Sequence, residues 1–233
     1  MRTTDMNIKR LDVPLLTLGM ERVSPREALQ VLEEKAGGVK LDQVPWETHP
    51  YRPDTVVRIG WTPRDILLRF DVDEEDVKAL FTEDNDPVHR DSCVEFFIAP
   101  GDGSYFNFEF NPRGVGYAAR GQGRDNSKPL PIGQVAEIRR YSSLDGKTLP
   151  PQGCSGSWTL ALAIPLSLFS GTPLANPGGK SFMANFYKCG DDTKKPHFVT
   201  WNHIGTEEPD FHRPEYFGIL NFVGTEERGI VDA

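Results

Sequence analysis

Residues 104–111 read SYFNFEFN, and those eight letters choose the fold. Side chains alternate across an extended chain, so Phe106, Phe108 and Phe110 fall on one side while Tyr105, Asn107, Glu109 and Asn111 fall on the other. A helix would scatter the three phenylalanines around its circumference. The stretch is therefore a strand with one apolar face and one hydrogen-bonding face. Working upstream, Val94, Phe96 and Ile98 share a face opposite Glu95 and Phe97, and Ile66, Leu68, Phe70 and Val72 alternate with Leu67, Arg69 and Asp71. Further strands are predicted over 115–119, 135–139, 158–164, 182–187, 198–201 and 217–222, separated by Gly, Pro, Asn and Asp clusters. With 22 glycines and 19 prolines in 233 residues, this is the composition of many short strands joined by turns. The expected architecture is an all-β antiparallel β-sandwich, jelly-roll or immunoglobulin-like.

One helix is expected. Ser24-Pro25-Arg26-Glu27 supplies an N-cap, a proline at the first helical position and a capping-box glutamate, and Gly37-Gly38 ends the run. Ala28, Leu29, Val31 and Leu32 give it one apolar side. Residues 1–40 thus read as an N-terminal extension whose short helix packs on the core, and residues 41–233 as a single sandwich domain. The polar stretches 120–130, 142–157 and 170–180 read as loops.

The net charge of −8, from 26 basic and 34 acidic residues, opposes a tight grip on a polyanion, so no nucleic-acid partner is expected. Fourteen Phe, 6 Tyr and 4 Trp supply a real core. No run approaches the roughly 20 apolar residues of a membrane span. The opening residues, with only the short run PLLTLGM, do not read as a secretory leader; the chain is cytoplasmic as written, or exported if a leader was removed. Cys93, Cys154 and Cys189 show no CxxC spacing, and reduced thiols are the simpler reading.

Several ordered motifs, NDPVHRDSCVEFFI (85–98), SYFNFEFN (104–111) and WNHIGTEEPDFHRPEYFG (201–218), stand out. Together with Trp46, the Ile-Pro after the Trp158 strand and the closing Phe-Gly, they resemble family 9 carbohydrate-binding modules and their free-standing bacterial relatives over most of residues 40–223. The resemblance implies a sandwich that binds a mono- or oligosaccharide without cleaving it, with structural calcium as the accompanying metal. It places the glutamate that hydrogen-bonds sugar hydroxyls on Glu95. The two aromatic platforms fall on His89 and Phe211, and an arginine of the following strand falls on Glu109.

Independently of the family, a pyranose presents C–H faces and a rim of hydroxyls, so its site needs flat rings above or below and polar groups in the ring plane. His89, Arg90, Glu95, Asn107, Glu109, Phe211, His212 and Arg213 contain these types, and the expected cradle has the Phe211 ring standing in solvent. The structural readings stand beside this: Phe211 packing under its loop, and Glu95–Arg213 or Glu109–Arg90 as ion pairs. Trp46, Trp158 and Trp201 read as core; Trp61 is the tryptophan expected at the surface. Two other function classes are open. Glu95 and Glu109 could form the carboxylate pair of a glycoside-processing enzyme, or the chain could be a protein-interaction module with a degenerate sugar site. The five histidines show no HExxH spacing, and no Gly-x-Ser-x-Gly or phosphate loop is present. For a metal, the acidic run 70–86 offers Asp71, Asp73 and Glu74 as calcium candidates, although without EF-hand spacing.

Overall fold

The computed structural model describes residues 8–16, 24–147 and 155–224. Two sheets face each other. In chain order the strands are β1 (Arg10–Val13), β2 (Val39–Lys40), β3 (Asp54–Trp61), β4 (Asp65–Glu74), β5 (Cys93–Ile98), β6 (Tyr105–Phe110) and β7 (Gly116–Gly121). They continue with β8 (Lys128–Pro129), β9 (Arg139–Ser142), β10 (Gly156–Pro165), β11 (Ser181–Cys189), β12 (Phe198–Thr200) and β13 (Gly218–Phe222). The larger sheet runs β1-β13-β11-β5-β6-β7-β8 with β12 also paired to β11, and the smaller runs β2-β3-β4-β10-β9. All pairings are antiparallel except β1 beside β13. The antiparallel β-sandwich read from the alternation is the fold.

The core lies where the two apolar faces meet. Phe186, Phe96, Phe108 and Phe106, from β11, β5 and β6, stack in a row with centroids 5.3 to 6.2 Å apart. They meet Ile66, Leu68, Phe70, Leu160 and Leu162 of the smaller sheet. Aromatic rings at these spacings add to the area they bury. At one end of this core sits a buried ion pair: Lys188 Nζ lies 2.9 Å from Glu74 Oε2, bridging the sheets. Trp158 Nε1 donates to Glu74 Oε1 at 2.6 Å. Burial and the Lys188 charge push His197 down to about 2, so its neutral ring donates from Nδ1 to the Lys195 carbonyl and accepts from Lys188 at Nε2.

Helix α1 (Pro25–Lys35) begins with the capping box read from Ser24 and Glu27: the Glu27 amide donates to Ser24 Oγ and the Ser24 amide to Glu27 Oε2. Ala28 and Leu32 bury against Leu67, Ala163 and Leu16, covering the outer face of the smaller sheet.

Two expectations are corrected and one strand is added. Residues 135–139 are not a strand: α2 (Ile132–Glu137) occupies most of them, started by the Pro131 carbonyl accepting from the Gln134 and Val135 amides. Val135 is buried while its helical neighbours are exposed, so one apolar residue there carried no strand period. Trp61 is not at the surface; it is 6% exposed, its ring edge meets Phe222 and its Nε1 donates to the Val223 carbonyl. Finally, residues 10–13 contribute a strand to the larger sheet, which the leading segment's mixed composition did not announce.

Candidate functional site

The hydrogen-bonding face of SYFNFEFN is turned away from the core, and the register of the larger sheet aligns it with its neighbours. Tyr187 opposes Glu95, Glu95 opposes Glu109, and Glu109 opposes Tyr117, so four strands carry one row across the outer face. In the next row Asn107 stands beside Phe97. Cys189 opposes Cys93 at the other side of the row. This face is itself covered by loops: Tyr105, Phe97, Tyr187, Trp46, Phe211 and Phe217 form a second buried cluster.

Between those loops a cavity of about 390 Å³ opens over the row, within the range of small-ligand sites. Glu95, Asn107, Glu109 and Cys189 form its floor. The turn Val88–Arg90 brings His89 to one wall, Arg124 and Ser127 come from the loop after β7, and Pro209 to His212 come from the loop before β13. Tyr117 and Phe198 contribute half-buried rings.

Two carboxylates directly opposed on neighbouring strands repel each other, and here no ammonium or guanidinium of the described residues forms an ion pair with either. His89 Nδ1, 3.8 Å from Glu109 Oε2, is the nearest basic partner. Burial, then the Glu109 charge, raises Glu95 well above the ordinary carboxylate range, against the pull of the Cys189 thiol, which donates to Glu95 Oε1 at 3.0 Å. Burial pushes Glu109 up to about 7, against the Asn107 amide that donates to its Oε1 at 2.8 Å. Asp191, another lining residue, is also raised by burial. His212 is lowered to about 4 by burial and by the Arg124 charge, and its Nδ1 shares a 2.7 Å hydrogen bond with the Tyr105 hydroxyl. The cavity therefore presents the neutral His212 imidazole and a partly protonated carboxyl pair near neutral pH.

Of the eight residues named from sequence, the cavity gathers His89, Glu95, Asn107, Glu109, Phe211 and His212. Arg90 and Arg213 are not among its lining residues. Arg90 pairs with Asp192 at 2.7 Å and Arg213 with Glu215 at 2.6 Å, so the anticipated Glu109–Arg90 and Glu95–Arg213 pairs do not form. The Phe211 ring does not stand in solvent. It is 7% exposed, stacked on Tyr187 with centroids 4.1 Å apart and planes 6° apart, and tilted against Trp46. It supports the wall from behind and shows only a margin to the cavity.

Sequence reasoning missed Tyr117, Arg124, Cys189, Asp191 and Phe198. Tyr117 lies in an expected strand and Cys189 two residues past the end of one, and only the register places them beside Glu109 and Glu95. The acidic candidates for calcium do not fit that ion. Asp71 is held by the guanidiniums of Arg58 and Arg69, and Glu74 by Lys188. Alternation along β4 turns Asp73 and Glu74 to opposite faces; at Asp71 and Glu74 protein cations already supply the charge a hard cation would bring.

The family model for carbohydrate-binding family 9 matches residues 27–222. A solved structure from Bacteroides uniformis, whose carbohydrate binding is a provisional assignment, is 35% identical with a TM-score of 0.87, covering 92% of this chain and 99% of that one. A family 9 module from Caldicellulosiruptor kristjanssonii, solved with glucose, is 12% identical at a TM-score of 0.54, over 94% of this chain and 98% of its own. The same organism's module solved with cellotriose is 13% identical at 0.54, over 97% and 99%; these two share the fold. No curated protein matches the chain. A family model spanning most of the sandwich and a relative of this identity over nearly its whole length carry the same conclusion: the chain belongs to carbohydrate-binding family 9.

Proposed function

We propose that the cavity over β5, β6 and β7 binds a mono- or short oligosaccharide and does not cleave it. The observation that carries this is the polar floor of Glu95, Asn107 and Glu109 bordered by the rings of Tyr117, Phe198 and His89. Rings meet the C–H faces of a sugar, and the floor meets its hydroxyls. A carboxyl pair sharing protons near neutrality donates to one hydroxyl and accepts from another, which suits a group that is itself both donor and acceptor. The glucose and cellotriose complexes of the Caldicellulosiruptor module support the ligand class.

The carboxyl arrangement favours binding over hydrolysis. A glycoside hydrolase sets an acid and a second carboxylate on either side of the scissile bond. Glu95 and Glu109 project side by side from one sheet face, as directly opposed residues must, so both approach a ligand from below.

Calorimetric titration with glucose, cellotriose and a panel of other mono- and oligosaccharides tests the proposal. Because hydroxyls leave water to bind, the expected affinity is micromolar to millimolar, about −8 to −4 kcal/mol. Tyr117→Ala should weaken it by about 1 kcal/mol or more, roughly fivefold, with the fold intact. No heat with any saccharide, or an unchanged affinity in Tyr117→Ala, rejects the site. Reducing ends accumulating during long incubation with oligosaccharides reject the non-catalytic reading.

A further inference from the structure

The cavity floor holds a second constellation that sugar binding does not explain. Cys93 and Cys189 are direct cross-strand partners on β5 and β11, and Glu95, two residues after Cys93, shares their face. The two Sγ atoms and a Glu95 carboxylate oxygen all lie within 4.8 Å of one another, and all three residues are buried. Among the described residues this is the one group of three His, Cys, Asp or Glu side chains so gathered. Cys189 and Glu95 both line the cavity. The neighbouring Glu109 and Asp191 add acidic groups to a floor whose buried carboxylates have no Lys or Arg ion-pair partner among the described residues.

We propose that Cys93, Cys189 and Glu95 form a binding site for a thiophilic divalent cation of the zinc class, with the fourth coordination position opening on the cavity. Two thiolates and one carboxylate are a soft-to-borderline donor set, which disfavours calcium and magnesium and suits zinc. Tetrahedral zinc bonds of about 2.3 Å to sulfur and 2.0–2.2 Å to oxygen hold ligand atoms about 3.5–3.8 Å apart. The observed grouping, within 4.8 Å with Cys189 Sγ 3.0 Å from Glu95 Oε1, is of that size. On binding, each thiol releases its proton to solvent as its sulfur lone pair takes up the metal, and a protonated Glu95 releases its own. The metal-free site, with both thiols and Glu95 protonated, is neutral, and the bound site, having released three protons, carries a net charge of −1. Three protein ligands differ from the closed four-ligand structural sites and leave the fourth position to water or to a ligand atom from the cavity. The inference stands whether or not the cavity takes a saccharide.

The test uses the full chain, stripped with a chelator, kept reduced with a phosphine, and titrated with Co²⁺ and then Zn²⁺. One equivalent of cobalt should produce a sulfur-to-cobalt charge-transfer band that zinc bleaches. Cys93→Ser and Cys189→Ser should each abolish the band and weaken zinc at least tenfold, Glu95→Gln should weaken it, and Cys154→Ser should keep it. Circular dichroism checks that the serine variants fold. Should either not fold, the wild-type protein supplies a second reading: zinc should protect two of its three thiols from alkylation. Absence of the band in reduced wild-type protein, its survival in a folded Cys189→Ser, or equal alkylation of all thiols with and without zinc overturns the proposal.

Discussion

Two clusters of buried charge lie on opposite faces of the larger sheet, and they obey opposite rules. Between the sheets, Lys188 and Glu74 are of opposite sign, fully enclosed, and tied further by Trp158 and His197. On the outer face, Glu95 and Glu109 are of like sign, directly opposed, and open to a cavity. The first arrangement fixes how the sheets sit together at the cost of desolvating two ions. The second raises two carboxyl groups out of their ordinary range and leaves them available. Perturbation without a neutralising partner, in a concave site, separates a functional group from a structural one.

The strongest challenge to that division is Lys188→Met. Removing one member of an enclosed pair strands the other, and should cost about 3–5 kcal/mol, lowering Tm on the order of 10 °C. Pairing it with Glu74→Gln should recover part of the loss; urea unfolding of the single and double variants measures both. Next in size, Phe211→Ala should cost about 3 kcal/mol of stability, since the ring is packed against Tyr187 and Trp46. An exposed sugar platform would instead lose affinity with Tm unchanged, so parallel calorimetry and thermal melts sharpen the assignment.

The smallest expected effect concerns pH. Glu109 titrates near 7 when folded and near 4.5 when unfolded, so the folded state holds the proton more tightly. Its favourable contribution is complete below about 4.5 and is lost as pH rises through about 7. Chelator-treated protein should therefore lose on the order of 1–3 kcal/mol between pH 5 and 8, and Glu109→Gln should flatten that slope. The groups facing this carboxyl are Glu95, Asn107, His89, Asp191 and Arg124. A slope unchanged in Glu109→Gln would return the outer pair to the same class as Lys188–Glu74.

Wherever the period of two was long, the fold was legible: β4, β5, β6 and β10 each show one apolar face, and α1 announces itself by its caps. Short pieces were not, because four residues such as 10–13 acquire meaning only from the strand they join. For the site, residue types could be read but neighbours could not. Glu95 and Glu109 were visible as polar letters, while their direct opposition, and the positions of Tyr117 and Cys189 beside them, follow from register. Arg90 and Arg213 misled because acidic residues close at hand, Asp192 and Glu215, claim them. Phe211 misled because a loop rich in Pro and charge looks wet, yet its aromatic ring turned inward.

The parallel pairing of β1 with β13 joins Arg10 to Ile219 across nearly the full span of the chain. During synthesis β1 leaves the ribosome early and must wait, unpaired, until β13 follows it. This edge of the larger sheet can therefore close only after translation has passed residue 222, and contacts of such wide sequence separation form slowly. Until then the nascent chain exposes the flank of β13's future neighbour, β11, to any strand that reaches it first.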